Sequence, residues 1–122
     1  MKRRYTVRIE IPRDCKVKYE WDIKAGRIAV DRILKVKYPF NYGFLLNTLW
    51  LDGDPLDAIV IGDFSLHPGT CIKAEPIAVV KMEDNGHSDD KVILRFGDEK
   101  LAHYESVIVG FLKSYKKARI RE

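Results

Sequence analysis

Three aspartates stand within six positions of the stretch LDGDPLDAIV, residues 51–60. Asp52, Asp54 and Asp57 surround a glycine and a proline, and an apolar run follows them. Two carboxylates about 4 Å apart repel each other by roughly 4 kcal/mol at an effective dielectric constant of 20. A metal ion, a proton or open water must offset that repulsion, and each of these predicts a different chemistry for the stretch.

An interpretation without chemical function is that these aspartates form a solvated turn, because Asp, Gly and Pro are all common turn residues. A second acidic loop weighs against it, since Asp84 and Asp89 lie in KMEDNGHSDDK, directly before another apolar run. Two acidic loops at strand ends can converge at one end of a barrel. Carboxylate oxygens suit hard cations such as Mg2+ or Mn2+. The two loops together therefore favour a divalent-metal site.

Both signs of charge lie on the polar faces of the first predicted strands. Glu10 lies on the first strand, Lys18 and Glu20 lie on the second, and Arg32 lies on the third. Each of them taken alone is typical of a solvated strand residue. Together they place cations and acids where a metal-bound anion could lie, since Arg and Lys bind phosphate oxygens well.

The elements that must position these residues are predicted from hydrophobic periodicity. Alternation or short apolar runs predict strands at residues 5–11, 16–22, 27–34, 58–63, 70–82 and 91–96. Residues 38–44 are predicted to be mostly loop, and Pro76 is predicted to interrupt its strand. Apolar residues between Leu101 and Tyr115 recur at spacings of three and four, which predicts one helical stripe. The predicted fold is mainly β (α+β), a small closed or nearly closed β-barrel of five to six strands with a C-terminal α-helix.

Length and composition bound the class of protein. The 122 residues suffice for one domain over residues 1–122, and 46% of them are hydrophobic. No run approaches the roughly 18 apolar residues of a membrane span, and the start MKRRYTVRIE contains no signal-peptide apolar segment. Cys15 and Cys71 lack metal-ligand spacing, so we expect both to stay reduced in the cytoplasm. The net charge of +4 suggests anionic partners, but the scattered Lys and Arg residues support nucleic acid only weakly.

Several motifs carry a family resemblance. The segment DGDPLD, residues 52–57, combines an acid pair, a proline, a hydrophobe and a further aspartate. The blocks IEIP, KYEWD, VDR, YPFNYGF, HPG, KMEDNGHSDDK and SYKK stand around it in a matching order and spacing. With these motifs the chain resembles the soluble family I inorganic pyrophosphatases from about residue 5 to 117, as an unusually short member.

The resemblance implies hydrolysis of pyrophosphate to two orthophosphates by metal-activated water, with Mg2+ as the expected cofactor and Mn2+ or other divalent ions as alternatives. It assigns the role of general base to Asp54. It assigns metal binding to six further acids, which are Asp52, Asp57, Asp84, Asp89, Glu10 and Glu20. It assigns phosphate contacts to Lys18, Arg32, Tyr42, Lys91, Tyr115 and Lys116. It also implies an OB-like barrel in a cytoplasmic homo-oligomer, usually a hexamer, whose partner is pyrophosphate rather than nucleic acid or membrane.

Charge and length qualify this assignment. Seven matched acids face four matched Lys or Arg residues, so we expect the site to bind pyrophosphate only together with divalent ions. Typical members are some tens of residues longer, and because this chain stops at KKARIRE we expect the final strand of longer relatives to be missing. Two alternatives remain. One is a shortened, weakly active homologue that binds metal or phosphate, and the other is an OB-type nucleic-acid-binding domain, which the acids disfavour.

Overall fold

The computed structural model describes residues 3–22, 24–46, 55–84, 86–113 and 118–121. Within these ranges the elements are, in chain order, Tyr5–Ile11 (β1), Val17–Asp22 (β2), Arg27–Ile33 (β3), Asn41–Leu45 (β4), Asp57–Ile61 (β5), Cys71–Asp84 (β6), His87–Ser88 (β7), Lys91–Arg95 (β8), the 3₁₀ helix Leu101–His103, Glu105–Lys113 (α1) and Ala118–Arg121 (β9). None of the helices in the described part of the chain has the length and apolar character needed to cross a membrane.

Five strands close into a barrel in the order β1, β4, β5, β8, β6, because β6 also pairs with β1. Neighbouring strands are antiparallel except β5 and β8, which run parallel with Asp57 opposite Lys91. Strands β2 and β3 form a separate antiparallel hairpin. The prediction of a small closed barrel with a C-terminal helix is confirmed.

Two apolar clusters hold the fold together. One draws on all five barrel strands and fills the barrel, with Val7, Ile9, Leu45, Ala58, Val60, Ala74, Val92 and Leu94. The other lies between the barrel and α1, where Ile108 and Leu112 of the helix are buried against Ile59 and Ile93. Strands β5 and β8 contribute to both clusters, which explains why their sequences are continuous apolar runs rather than alternating ones. Burying each such side chain contributes roughly 1.5–3 kcal/mol.

The predicted loop over residues 38–44 is wrong in its second half, because Asn41–Leu45 forms the buried strand β4. Gly43 permits the close pairing of β4 with β1, since a Cβ at that position would lie 1.8 Å from the carbonyl oxygen of Arg8. The predicted interruption at Pro76 is also wrong, because β6 continues through it. A register shift between Pro76 and Ala78 lets the strand accommodate the residue that lacks an N–H.

The C-terminal region differs from the prediction in two ways. The single helical stripe is divided, because the 3₁₀ helix covers its first turn and α1 ends at Lys113. The expectation that the final strand is missing is wrong, since β9 follows the helix and pairs antiparallel with residues 79–82 of β6. The alternation over residues 118–121 was too short to signal a strand without its partner.

Candidate active site

The first group of site residues lies where β5 and β8 begin side by side. Because these parallel strands place Asp57 opposite Lys91, the two side chains leave the sheet as neighbours. Lys91 Nζ lies 3.1 Å from Asp57 Oδ2 and 3.3 Å from Asp89 Oδ1. The lysine side chain is 7% exposed, whereas those of Asp57 and Asp89 are 36% and 38% exposed. A buried ammonium group thus neutralises two carboxylates that would otherwise repel each other.

Tyr42 joins this group from β4. Its hydroxyl donates a hydrogen bond of 2.7 Å to Asp57 Oδ2, and Lys91 Nζ lies 5.3 Å from the centre of its ring. Burial, followed by the negative charge of Asp57, raises the pKa of Tyr42 well above its ordinary value. The phenol therefore stays protonated and remains a donor. Tyr38 packs edge-on against both Tyr42 and Phe111, so α1 supports the tyrosine from behind.

Asn41 fixes the backbone that carries Tyr42, and sequence reasoning missed this role. Its side chain is fully buried, and its Oδ1 accepts hydrogen bonds from the backbone N–H groups of Arg13 and Leu66, at 3.0 and 2.9 Å. Its Nδ2 donates to the carbonyl oxygen of Phe64 at 2.9 Å. A buried amide with this many partners ties the start of β4 to two loops. The asparagine in YPFNYGF was the only available signal, and it reads equally well as a turn residue.

The second group faces the first from β1 and the hairpin. Glu10 lies on β1 opposite the core, and its pKa rises to about 7, mainly because its carboxyl group is buried. The ammonium group of Lys18 lowers this pKa, whereas the carboxylates of Asp57, Glu20 and Asp31 raise it. These four groups therefore lie close enough to act on the charge of Glu10. A proton on Glu10 and an ammonium group beside Asp57 together relieve part of the repulsion that the acids create.

Asp31 is a candidate residue that sequence reasoning did not assign. Its Oδ2 lies 3.8 Å from Lys18 Nζ and 3.9 Å from Arg32 Nε. Lys18 and Arg32 are opposite each other in the hairpin, so one carboxylate stands beside two cations. Arg32 has 66% of its side chain exposed and lies at the rim of the group. The position of Asp31 within the VDR block was the signal that could have identified it.

A stacking contact joins the hairpin to the barrel. The guanidinium carbon of Arg8 on β1 lies 3.8 Å from the centre of the Trp21 ring on β2. Nε and Nη1 of Arg8 are buried and have no hydrogen-bond partner among the residues the structure describes. A desolvated cation–π contact contributes about 2 kcal/mol. Because Arg8 and Glu10 point to the same face of β1, the stack holds the hairpin beside Glu10.

Other predicted site residues are not placed. Asp52 and Asp54, in residues 47–54, and Tyr115 and Lys116, in residues 114–117, lie outside the described residues. Asp84 ends β6 opposite His87, but its side chain also lies outside what the structure describes. In the described ranges, no group of three or more His, Cys, Asp or Glu side chains could hold a metal ion.

The described donor set nevertheless fits a hard divalent cation. Asp57 and Asp89 offer carboxylate oxygens held 3.1 and 3.3 Å from one ammonium nitrogen, and Mg2+ and Mn2+ prefer such ligands. A divalent cation beside these oxygens would take over the neutralisation that Lys91 provides. Two carboxylates do not complete a metal site, so further ligands would have to join Asp57 and Asp89.

Comparison with known proteins identifies the family to which the chain belongs. A family model described as inorganic pyrophosphatase matches residues 7–121, so the chain belongs to the inorganic pyrophosphatase family. The resemblance inferred from the sequence is thereby confirmed. An inorganic pyrophosphatase from Saccharolobus solfataricus is 52% identical over 87 residues, which cover 70% of this chain and 51% of that protein. One from Leifsonia xyli is 42% identical over 106 residues, covering 84% of this chain and 65% of that protein.

The chain thus spans about half to two thirds of the length of these curated relatives. Among solved structures, that of an inorganic pyrophosphatase from Ehrlichia chaffeensis matches with a TM-score of 0.83 at 29% identity. The match covers 98% of this chain and 86% of that one. The OB-like barrel expected from the resemblance is confirmed by this likeness in fold.

Proposed function

We propose that the chain hydrolyses inorganic pyrophosphate to two orthophosphates in a reaction that requires a divalent metal ion. The observation that carries the proposal is the cluster of Asp57, Asp89, Lys91 and Tyr42 on adjacent barrel strands of a pyrophosphatase-family chain. Carboxylates beside a buried ammonium group suit a polyanion that arrives with cations.

Asp57 and Asp89 are proposed metal ligands, together with Asp52, Asp84, Glu10 and Glu20. Mg2+ is the proposed ion, with Mn2+ as a substitute, because all six side chains offer only carboxylate oxygens. When bound, the metal supplies Lewis-acid stabilisation of the phosphate oxygens and acidifies the attacking water.

The basic residues are proposed to bind the phosphates. Asp57 and Asp89 would hold a divalent ion, and the ammonium group of Lys91 would then be available to donate to a phosphate oxygen. Lys18 and Arg32 add positive charge from the hairpin, where Asp31 holds them side by side. Tyr42 donates from its hydroxyl, and Tyr115 and Lys116 are proposed as further contacts. These groups stabilise charge that develops on the departing phosphate.

Asp54 is proposed to accept the proton of the attacking water. It stands between two aspartates assigned to metal binding, which leaves its own carboxylate available as a base. General-base groups typically contribute about 10²–10⁴-fold to the rate. Asp54→Asn should therefore lose turnover by about that factor while it keeps Mn2+ binding.

The direct test is phosphate release from pyrophosphate, with ATP as the comparison substrate, in Mg2+ and in excess EDTA. We expect rapid release from pyrophosphate in Mg2+, much slower release from ATP, and none in EDTA. Release that persists in EDTA would contradict the proposal. Mn2+ binding without turnover would favour the weakly active homologue, and a salt-dependent shift of single-stranded DNA would favour the nucleic-acid-binding alternative.

The assembly and the location are also proposals. Family membership supports a homo-oligomer, and light scattering on the purified chain would distinguish a hexamer from smaller assemblies. A cytoplasmic location is supported by the free thiols of Cys15 and Cys71, which suit a reducing compartment.

A further inference from the structure

Asp90 is a buried acid that the proposed reaction does not use. It stands between Asp89 and Lys91, two residues of the site, yet only 7% of it is exposed. A carboxylate is rarely buried this deeply unless it is paired and hydrogen-bonded. Its partners therefore indicate what it does.

Both oxygens of Asp90 are engaged with β6. Oδ1 accepts a hydrogen bond of 3.2 Å from the backbone N–H of Met82, and Oδ2 lies 3.1 Å from Lys81 Nζ. The carbonyl oxygen of the same Met82 accepts a 2.9 Å hydrogen bond from the backbone N–H of Asp89. One residue of β6 is thus bonded by two consecutive residues that precede β8.

These bonds lie where the backbone pairing of β6 is interrupted. Strands β6 and β8 pair as far as Val80 opposite Lys91, and β7 resumes the pairing with Ser88 opposite Glu83. In this register Lys81 stands opposite Asp90, and Met82 stands opposite Asp89. Between Met82 and Asp89, the backbone hydrogen bond from the Asp89 N–H to the Met82 carbonyl oxygen forms. The Met82 N–H bonds to the Asp90 side chain instead of returning a second backbone bond. The carboxylate therefore completes the ladder by one step, beside the turn that carries Asp84 and Asp89.

We propose that Asp90 is a positioning residue, which holds Asp89 against Met82 so that the Asp89 carboxylate stays beside Asp57 and Lys91, where the two aspartates can offer oxygens to one divalent ion. This inference rests on the proposed function. Lys81 pairs with the buried carboxylate, and the Met82 N–H sets its direction. Displacing Asp89 by an ångström would separate its carboxylate from Asp57 and Lys91, and displacements of that size are costly in preorganised sites.

The test measures Mn2+ binding by calorimetry on the whole chain, beside the Mg2+ dependence of pyrophosphate hydrolysis and the melting temperature. Asp90→Ala removes the acceptor and should weaken Mn2+ binding about 10- to 100-fold. Asp90→Asn keeps an amide oxygen for the Met82 N–H and should restore most of that affinity. Asp90→Glu keeps the charge but moves the acceptor by one methylene, so it should weaken binding about tenfold with little loss of melting temperature.

Glu75→Gln is the matched control, because the 2.7 Å pair of Glu75 and Arg95 joins the same two strands at their other end. We expect it to lower the melting temperature and leave Mn2+ affinity unchanged. Asp90→Ala and Asp90→Glu variants that both bind Mn2+ within about twofold of the parent would overturn the inference, as would an equal loss in Glu75→Gln. If Asp90→Ala does not fold, the contrast between Asp90→Glu and Asp90→Asn decides alone. A parent chain that neither binds Mn2+ nor hydrolyses pyrophosphate would overturn the proposed function as well.

Discussion

The two halves of the candidate site lie on different kinds of secondary structure, one on buried barrel strands and the other on an exposed hairpin. The barrel half, which we define as Tyr42, Asp57, Asp89 and Lys91, is carried by strands β4, β5 and β8. Most residues of these strands are buried, and β5 is paired on both sides. The hairpin half, which we define as Lys18, Glu20, Asp31 and Arg32, lies on a two-stranded sheet in which six of the seven β3 residues are exposed.

The contacts within each half differ accordingly. The polar contacts of the barrel half measure 2.7 to 3.3 Å, within hydrogen-bond range. The ion pairs of the hairpin half measure 3.8 and 3.9 Å, beyond that range. We infer that the barrel half is arranged before any ligand binds, whereas the hairpin half closes its contacts on the substrate. Changes in the barrel half should therefore act on metal affinity, and changes in the hairpin half should act on the KM for pyrophosphate.

The largest expected effect comes from Asp57→Asn in the barrel half. The substitution removes a proposed metal ligand but keeps a side chain of the same size beside Lys91. We expect Mn2+ affinity and turnover to fall by at least about 100-fold, more than the loss of an outer hydrogen-bond partner causes. Calorimetry and steady-state kinetics measure the two quantities.

Asp63→Asn is the control for that prediction. Asp63 follows the other end of β5, and its carboxylate accepts a hydrogen bond from the Tyr104 hydroxyl at 3.2 Å. We expect this variant to bind Mn2+ like the parent. Equal losses in the two variants would mean that the acids act through general charge rather than as ligands.

Tyr42→Phe should have a smaller effect on the same quantity. It removes the 2.7 Å hydrogen bond to Asp57 and leaves Lys91 in place, so we expect Mn2+ affinity to fall by about tenfold. Tyr104→Phe makes the identical change at the Asp63 pair and should leave Mn2+ affinity unaltered. If Tyr42→Phe alters only the KM for pyrophosphate, the tyrosine belongs functionally with the hairpin half.

Arg8→Met and Trp21→Leu probe the hairpin half, because each removes the 3.8 Å stack that holds β2 on β1. We expect each variant to raise the KM for magnesium pyrophosphate by about fivefold, within the range of a cation–π contact. Turnover and Mn2+ affinity should change little. The double variant should be no worse than either single one, since both remove the same contact. Additive losses, or a loss of Mn2+ affinity, would refute this division of the site.

The sequence predicted the two halves unequally. The alternation in KVKYEWD predicted β2 to within one residue, and the run RIAVDRIL predicted β3 to within one residue. The burial of β4 could not be read from YPFNYGF, since the strand depends on Gly43 letting two backbones approach. The two acidic loops pointed to Asp57 and Asp89, whereas Lys91 was assigned only through the family resemblance. Asp90 was passed over because a buried structural acid and a solvated loop acid look alike in a sequence.

Glu10 lies between the two halves and gives the smallest predicted effect, a change in the free energy of unfolding. Its pKa is raised from 4.5 to about 7 in the folded chain, chiefly by burial. As pH rises from about 4.5 through about 7, the unfolded chain therefore releases this proton while the folded chain retains it, and folding loses stability. Glu10→Gln removes that loss.

We therefore expect thermal unfolding without metal to show Glu10→Gln and the parent alike at about pH 4, below the unfolded pKa, and the variant more stable at about pH 8. The difference should be about 1–2 kcal/mol once solvent screening of this partly exposed group is allowed for. Glu83→Gln, on an exposed position of β6, is the control, and it should not change how the free energy of unfolding varies with pH. Mg2+ should reduce the stability difference between Glu10→Gln and the parent at about pH 8, because a cation beside Asp57 favours the charged form of Glu10. If the variant and the parent differ in stability by the same amount at every pH, the difference comes from packing around the side chain rather than from ionisation of the carboxyl group. A stability difference that Mg2+ leaves unchanged would place Glu10 outside the metal site and confine that site to the barrel half.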